Sequence, residues 1–270
     1  MEHHLSLRSD ELALAFGAIA SEAGQIILSV RRSGFQTKAD GSPVTDADLE
    51  SDKYITARLS AILPKVPIVT EEGVDQIGSG SDIGELRHFI LVDPLDGTRE
   101  FVAGRDEFTV NIALIEARQP VVGAIYAPAK GKLYIASEKA YGADVQPGRM
   151  PGLSVMQQLR TCPVPASGLR AVASRSHMDP ATRQWLDNRP IAKRVAAGSS
   201  LKFCTIAEGA ADVYPRCGPT MEWDTAAGHA ILVAAGGLVV GLDGAPFTYG
   251  KVDAGFRNAG FVAWGRGPNR

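Results

Sequence analysis

Phe89-Ile90-Leu91-Val92-Asp93-Pro94-Leu95-Asp96-Gly97-Thr98 is the stretch on which the reading of this chain turns. Its four leading apolar residues predict a buried strand. Directly after them, two carboxylates three residues apart flank a proline-fixed turn, a spacing suited to hard divalent cations. Gly97 and Thr98 then offer backbone N–H groups and a hydroxyl beside those cations. Carboxylates, a metal and amide donors are together what a phosphate ester needs. Taken alone, Asp93–Thr98 reads equally well as a solvated turn, so the rest of the chain has to decide.

The chain of 270 residues is 45% hydrophobic and 21% charged, enough for a substantial core in one large domain or two small ones. A net charge of -2 argues against broad electrostatic binding to nucleic acid, though not against a small basic pocket. The three cysteines, Cys162, Cys204 and Cys217, are odd in number and widely spaced. That argues against a disulfide framework or a zinc site and fits a reducing cytoplasm. No apolar stretch is expected to approach the ~20 residues of a membrane span, and the N-terminus lacks a signal-peptide core.

Leu12, Phe16, Ile19, Ala23, Ile26, Ile27 and Val30 recur at a spacing of three to four, predicting an amphipathic helix from Asp10 to about Arg32, ended by Gly34. A second helix is expected from Thr45 to about Leu63, followed by a short strand at Ile68-Val69. Strands at Phe108–Glu116, Pro120–Tyr126 and Lys132–Ala136 predict an antiparallel meander. Ala143–Gly168, rich in Gly, Pro and Gln, is the expected seam between an N-terminal lobe of about 1–145 and a C-terminal lobe of about 168–270. In the second half, strands at Leu169–Ala173, Ile191–Val195, Ala211–Tyr214 and Leu238–Gly241 alternate with helices at Asp179–Asp187, Ser199–Gly209 and Thr225–Ala235, an α/β pattern.

Three further segments can bring acids to Asp93 and Asp96. Glu71-Glu72 ends a strand, and strand ends converge on one edge of a sheet; by itself the pair also reads as solvated loop. Thr45-Asp46-Ala47-Asp48 is a capping box opening a helix. That role leaves one carboxylate oxygen of Asp48 for a metal or water. Asp224, before the small-residue run Ala226-Ala227-Gly228, reads as an N-cap or as a ligand held rigidly by close helix packing. Together, Glu71, Asp93, Asp96 and Asp224 form a set for two or more Mg²⁺ ions, one able to activate water while both neutralise phosphate charge.

Asp93–Thr98 and Trp223-Asp224-Thr225-Ala226-Ala227-Gly228, with Ser42-Pro43-Val44-Thr45-x-x-Asp48 and Glu71-Glu72, resemble the inositol monophosphatase superfamily of lithium-sensitive, magnesium-dependent phosphatases. The resemblance runs from about Lys38 to Gly237. Within the superfamily the chain most resembles the CysQ-type 3'(2'),5'-bisphosphate nucleotidases. Glu107–Leu114, Ser174-Arg175-Ser176-His177, and Gly198–Cys204 leading to Tyr214–Thr220 carry that likeness. The resemblance implies an α+β, α/β fold, the layered α/β/α/β/α sandwich of that family, as a single catalytic domain. It implies that Glu71, Asp93, the Leu95 carbonyl, Asp96 and Asp224 bind two or three Mg²⁺. It also implies that Asp48 and Thr98, with help from Glu71, position or deprotonate the attacking water. Glu71, Leu95, Asp96, Gly97, Thr98 and Asp224 would line the phosphate.

The chain departs from inositol-specific members in Pro215–Thr220, where their acid for sugar hydroxyls is missing, and at Lys202, where they commonly have a small residue. Both changes add positive charge and suit a second phosphate, so Lys202 and Arg216 are the candidates for it. Either could equally be a solvated surface cation. Ser199 and Ser200, opening a helix, bind an anion or simply cap it. Arg175 and His177 could border the nucleotide and Tyr214 could stack on adenine, although a strand Tyr is more often core. His229 reads as a packed histidine. The expected reaction is hydrolysis of adenosine 3',5'-bisphosphate (PAP) to AMP and phosphate, and of PAPS to APS, in sulfur metabolism. An inositol- or sugar-phosphate phosphatase is the alternative enzyme, and a nucleotide sensor without turnover the alternative outside enzymes. The small-molecule nucleotide is the expected partner, with no nucleic acid. The expected location is the cytoplasm, with loose association at the cytoplasmic face of the inner membrane.

Overall fold

The computed structural model describes residues 8–30, 35–37, 43–74, 87–173 and 178–267. Helix α1 (Ser9–Ser29) is followed by a short antiparallel ladder, β1 (Phe35–Thr37) with β2 (Pro43–Thr45), and by α2 (Asp46–Ile62). Strand β3 (Ile68–Thr70) runs parallel to β4 (His88–Asp96), and the chain then enters the predicted meander. After the short helix α3 (Thr98–Val102), β5 (Thr109–Glu116), β6 (Gln119–Ala127), β7 (Lys132–Ala136), β8 (Ala140–Asp144) and β9 (Gln157–Gln158) pair antiparallel in sequence. The seven strands β3 to β9 thus lie in chain order. The expected seam from Ala143 is therefore partly sheet: β9 adds an edge to β8, and backbone pairing overrides the segment's turn-rich composition.

The second half supplies β10 (Leu169–Ala173), α4 (Pro180–Asp187), β11 (Ile191–Ala196), α5 (Leu201–Ala207), β12 (Val213–Arg216), β13 (Thr220–Met221), α6 (Ala226–Ala234), β14 (Leu238–Gly241), β15 (Arg257–Asn258) and β16 (Phe261–Trp264). A mixed sheet forms in the order β11-β10-β12-β16-β14, and β13 pairs with β15 as a separate two-stranded ladder. The alternation was readable from sequence; β13, β15 and β16, too short or too aromatic to show a period, were not. The stop expected at Gly34 and Ser174–His177 fall outside the described residues.

Helices α1 and α2 bury Leu12, Phe16, Ile19, Ile27, Ile55 and Leu59 against one face of the seven-stranded sheet. Helices α5 and α6 fill the space between its other face and the five-stranded sheet, around Phe203, Ile206, Ile231 and Phe261. Helix α4 covers the outer face of the second sheet through Leu186, beside Trp264. The layers run α/β/α/β/α, as the resemblance implied. The small residues of α6 have the expected use: a Cβ added at Gly123 of β6 would lie 2.7 Å from the Ala227 carbonyl, so helix and sheet meet backbone to backbone. Contrary to expectation, α1 is long and apolar enough to cross a membrane by length and composition. Its alanines add to the hydropathy of its Leu, Ile and Phe without forming one continuous large-residue run. In this fold its apolar face is spent on the core, with Phe16 and Ile27 fully buried.

Candidate active site

The deciding stretch is not a turn after a strand. Strand β4 continues through Asp96, and its pairing with β5 shifts between Asp93, opposite Asn111, and Asp96, opposite Thr109. This irregularity re-aims the two carboxylates, as bulges do beside active sites. Pro94 is tolerated there because the ladder is interrupted. Asp93 is held by the Leu95 N–H, which donates to its Oδ1 at 3.1 Å. Gly97 then takes φ +92°, a left-handed conformation that glycine adopts freely, and turns the chain into α3.

Glu71 is brought alongside by the parallel pairing of β3 and β4: Thr70 lies opposite Val92, and the Glu71 N–H donates to the Val92 carbonyl at 3.1 Å. Asp48 is both cap and site residue. Its Oδ2 accepts from the Thr45 N–H at 2.8 Å and the Thr45 hydroxyl at 2.6 Å, completing the capping box of α2. Its Oδ1 faces the Thr98 hydroxyl at 3.1 Å, which lies equally close to the Leu95 carbonyl. Asp224 arrives from the other lobe. Thr225, not Asp224, is the N-cap of α6, and the Asp224 Oδ2 instead accepts from the Met221 N–H at 2.8 Å.

Glu71, Asp93, Leu95, Asp96, Gly97, Thr98, Ser199, Lys202, Arg216 and Asp224 line one cleft of ≈ 320 Å³. Two predicted residues stand behind it. Asp48 is buried and reaches the cleft through Thr98. Ser200 is buried too: its N–H donates to Asp96 Oδ2 at 2.7 Å, and its hydroxyl bridges Asn111 Oδ1 and Thr109 Oγ1 at 2.7 and 2.8 Å. Ser200 thus holds Asp96, and α5 has no side-chain cap. Ser199 adopts φ +46°, a strained conformation for a non-glycine. Its hydroxyl sits 2.8 Å from the Glu107 carbonyl and 3.1 Å from that of Asp96, while its own carbonyl accepts from Lys202 Nζ at 2.6 Å. The Ser199-Ser200 pair therefore ties Lys202 to the strand that carries the acids.

Burial and mutual repulsion raise the carboxyl pKa values. Asp93 is held well above the usual range, first by burial and then by the charges of Glu71, Asp96, Asp224 and Asp48. Burial pushes Asp224 up to about 8, with the Asp96 charge adding to it and the Met221 N–H opposing. Asp96 is pushed up to about 6 by burial, against the pull of Lys202 and the Ser200 N–H. Burial lowers Lys202 to about 8, with the Arg216 charge adding to that effect.

Among the described residues, no three acids are yet gathered closely enough to cage one ion. Each of Asp93, Asp96 and Asp224 has one oxygen turned onto a backbone N–H, and like charges keep the group spread. The donor set nonetheless fits divalent cations: carboxylates sharing one cleft, with Glu71, Asp96 and Asp224 raising Asp93, carry the repulsion that a hard cation relieves.

Sequence reasoning missed Arg99, Glu100, Phe203, Thr220 and Thr225 as cleft-lining residues. It did quote Thr109 and Asn111 within a motif, without seeing that they brace Asp96 through Ser200. It placed α4 but not the contact that α4 makes: its N-cap Asp179 fixes Thr182, whose hydroxyl in turn receives the Cys217 N–H at 2.8 Å and sets the chain beside Arg216. Tyr214 lines the cleft but packs edge-on to Phe203 and Phe261, the core role. His229 is packed as expected: its Nδ1 lies 3.1 Å from the Tyr249 hydroxyl, and burial lowers its pKa to about 3. Arg175 and His177 lie outside the described residues.

Comparison with known proteins agrees with this geometry. The 3'(2'),5'-bisphosphate nucleotidase CysQ of Escherichia coli (strain K12) is 39% identical over 249 residues, covering 90% of this chain and 95% of that one. The Salmonella typhimurium CysQ is 40% identical over 252 residues, with the same coverage of 90% and 95%. Among solved structures, CysQ from Bacteroides thetaiotaomicron superposes with a TM-score of 0.80 at 36% identity, over 94% of this chain and 97% of that one. An inositol monophosphatase from Zymomonas mobilis shares the fold, with a TM-score of 0.73 at 23% identity, over 97% and 95% of the two chains. The model of the inositol monophosphatase family matches residues 8–261, and the chain belongs to that family.

Proposed function

We propose that the chain is a Mg²⁺-dependent 3'(2'),5'-bisphosphate nucleotidase that hydrolyses the 3'-phosphate of adenosine 3',5'-bisphosphate to AMP and phosphate, and PAPS to APS by the same attack. The observation that carries this reading is one cleft that gathers both an acidic set, Glu71, Asp93, Asp96 and Asp224, and the basic pair Lys202 and Arg216. Lys202, only 5% exposed, already meets the Asp96 charge, but the buried Arg216 Nε beside it has no hydrogen-bond partner among the described residues, and a neutral polyol would leave that cation uncompensated. A substrate with a second phosphate supplies the anion. The CysQ relatives, named for this activity, support the same substrate.

Glu71, Asp93, the Leu95 carbonyl, Asp96 and Asp224 would hold two or three Mg²⁺, which when bound neutralise phosphate charge and acidify water. The chain's own part is proton handling and positioning. Thr98 has one hydroxyl proton and two acceptors at 3.1 Å, Asp48 Oδ1 and the Leu95 carbonyl. When it donates to Asp48, its lone pairs are free to accept from a water beside the phosphate, and Asp48 takes up the proton through it. The water oxygen bonds to phosphorus as the bond from phosphorus to the 3'-oxygen breaks, and the leaving 3'-oxygen takes a proton from solvent water to become the 3'-hydroxyl of AMP. The Ser199 hydroxyl is engaged by the Asp96 and Glu107 carbonyls, so the phosphate passes to water directly. The Gly97 and Thr98 N–H groups at the start of α3 face the same cleft as phosphate donors.

On this reading residues 1–270 act as a single catalytic domain, because both lobes contribute to the cleft. The reaction belongs to the cytoplasm, in keeping with three free cysteines. The test is phosphate release from adenosine 3',5'-bisphosphate, PAPS and inositol 1-phosphate, with Mg²⁺, with EDTA and with Li⁺ added to Mg²⁺. Mg²⁺-dependent release from the first two, inhibited by Li⁺, is expected. Tight nucleotide binding without release in saturating Mg²⁺ would leave a sensor instead.

A further inference from the structure

Behind Asp224 lies a buried polar relay that the reaction itself does not use. Glu222 is fully buried, and its carboxylate accepts from the Gly250 N–H at 2.7 Å, the Lys251 N–H at 3.0 Å and Lys251 Nζ at 3.1 Å. Lys251 Nζ also donates to the Thr248 carbonyl and, at 3.0 Å, to Asn258 Oδ1, so its three protons have three acceptors. An ammonium only donates, so this contact fixes which end of the Asn258 amide faces Lys251. The Asn258 Nδ2 end must then point the other way. There it donates to the Met221 carbonyl at 3.0 Å and to Thr225 Oγ1 at 3.1 Å.

Those two acceptors bracket Asp224. Met221 is held through its carbonyl by Asn258, and its N–H in turn holds Asp224 Oδ2 at 2.8 Å. Thr225 is saturated in the same way, donating to the Glu222 carbonyl at 3.1 Å and accepting from Asn258 and, at 3.3 Å, from the Tyr249 hydroxyl. Asn258 is 1% exposed and sits on β15 opposite Thr220, so the β13–β15 ladder carries this clamp to the wall of the cleft.

We propose that Asn258, oriented by the Glu222–Lys251 pair, is the positioning residue that sets the Asp224 carboxylate for metal binding. This rests on the reading of Asp224 as a metal ligand. Direct partners of a ligating side chain are worth 10- to 100-fold in metal affinity; Asn258 acts on Asp224 through Met221, so the effect expected of it lies at the lower end of that range.

The test is Mn²⁺ binding to the metal-stripped protein without substrate, read as loss of the free-ion EPR signal, with the melting temperature measured on the same samples. Asn258→Ala is expected to weaken Mn²⁺ binding ~10-fold, with Asn258→Ser as the second variant should the alanine variant not fold. Arg170→Met is the control for a merely structural loss: it breaks the Arg170–Asp212 pair, 2.6 Å long, in the other sheet, and should lower the melting temperature while leaving Mn²⁺ affinity unchanged. Mn²⁺ affinity within threefold of the parent in the Asn258 variants would overturn the proposal, provided Asp224→Asn weakens binding. If Asp224→Asn itself left Mn²⁺ binding intact, the ligand reading would fall, and this inference with it.

Discussion

Asp48→Asn separates the structural duty of Asp48 from its chemical one. Asp48 Oδ2 takes two hydrogen bonds from Thr45, at 2.8 and 2.6 Å, and Oδ1 faces Thr98 at 3.1 Å. An asparagine has one carbonyl oxygen. Keeping it on Thr45 preserves the cap of α2 but turns an NH₂ group towards Thr98. The Thr98 hydroxyl then rotates its proton to the Leu95 carbonyl, also at 3.1 Å, so no hydrogen bond is left unmade. The lost charge on the cap weakens those bonds and the favourable interaction with the helix dipole, at a cost of about 1 kcal/mol. For a chain of this size that lowers Tm by about 2–4 °C. The chemical loss is larger, because the variant carboxamide cannot take up a proton and Thr98 can no longer pass one on. Loss of a positioned acid–base group costs ~10²- to 10⁴-fold in kcat. Phosphate release under saturating Mg²⁺ and substrate, paired with thermal melts, reads both quantities. A kcat within tenfold of the parent, in a folded variant, would refute the Thr98–Asp48 proton route.

Three further outcomes are expected. Asp93→Asn should remove most activity while leaving a cooperative melt, because the Leu95 N–H can still be accepted by the amide oxygen; near-normal turnover would show that Asp93 is not a ligand. Gly97→Ala should lower kcat/KM at least tenfold, since a Cβ there would stand 2.5 Å from Ser199 Oγ at φ +92°; unchanged kinetics would mean the turn relaxes freely. The pH dependence of the metal-stripped protein reads the buried carboxyls Asp93 and Asp224, both raised, and Asp224→Asn separates the share of Asp224. Burial lifts the Asp224 pKa to about 8, above the unfolded value of ~3.9, so the folded state binds the extra proton and stability falls as pH rises towards 8. His229, lowered to about 3, adds stability as pH rises only up to its unfolded value of ~6.5, and Lys202, lowered to about 8, does so only above 8. Between pH 6.5 and 8 in EDTA, Tm should therefore fall, and Mg²⁺ should flatten the slope and Asp224→Asn reduce it; a Tm that rises across this window in EDTA would contradict the assignment.

Much of the site was readable because its residues sit in contiguous motifs. Asp93, Asp96 and Thr98 share one bulged strand end. Asp48 declared itself through the capping box; its second oxygen faces the Thr98 hydroxyl, where the sequence had offered a metal or water. Asp224 lines the cleft, but its local setting differs from the expected cap: its side chain turns back to Met221 rather than capping α6. What escaped were contacts between distant segments. The Ser200–Asn111–Thr109 brace joins β5 to the start of α5, and the Glu222–Lys251–Asn258 relay joins three separate chain segments. No periodicity signals such pairings; only tertiary folding brings them together. Composition likewise hid the β8–β9 edge inside a segment that looked like linker, and let α1 pass as an ordinary amphipathic helix although its length and hydropathy also suit a membrane.

The central claim is that the acidic set performs the hydrolysis and the basic pair selects the molecule. Its most direct measurement is kcat/KM for adenosine 3',5'-bisphosphate and for inositol 1-phosphate, in the parent and in Lys202→Met. The parent should prefer the bisphosphate, and Lys202→Met should lose ~10- to 100-fold on that substrate alone, the scale of a hydrogen bond to a charged group. A parent that prefers inositol 1-phosphate, or a Lys202→Met variant that loses equally on both, would contradict it.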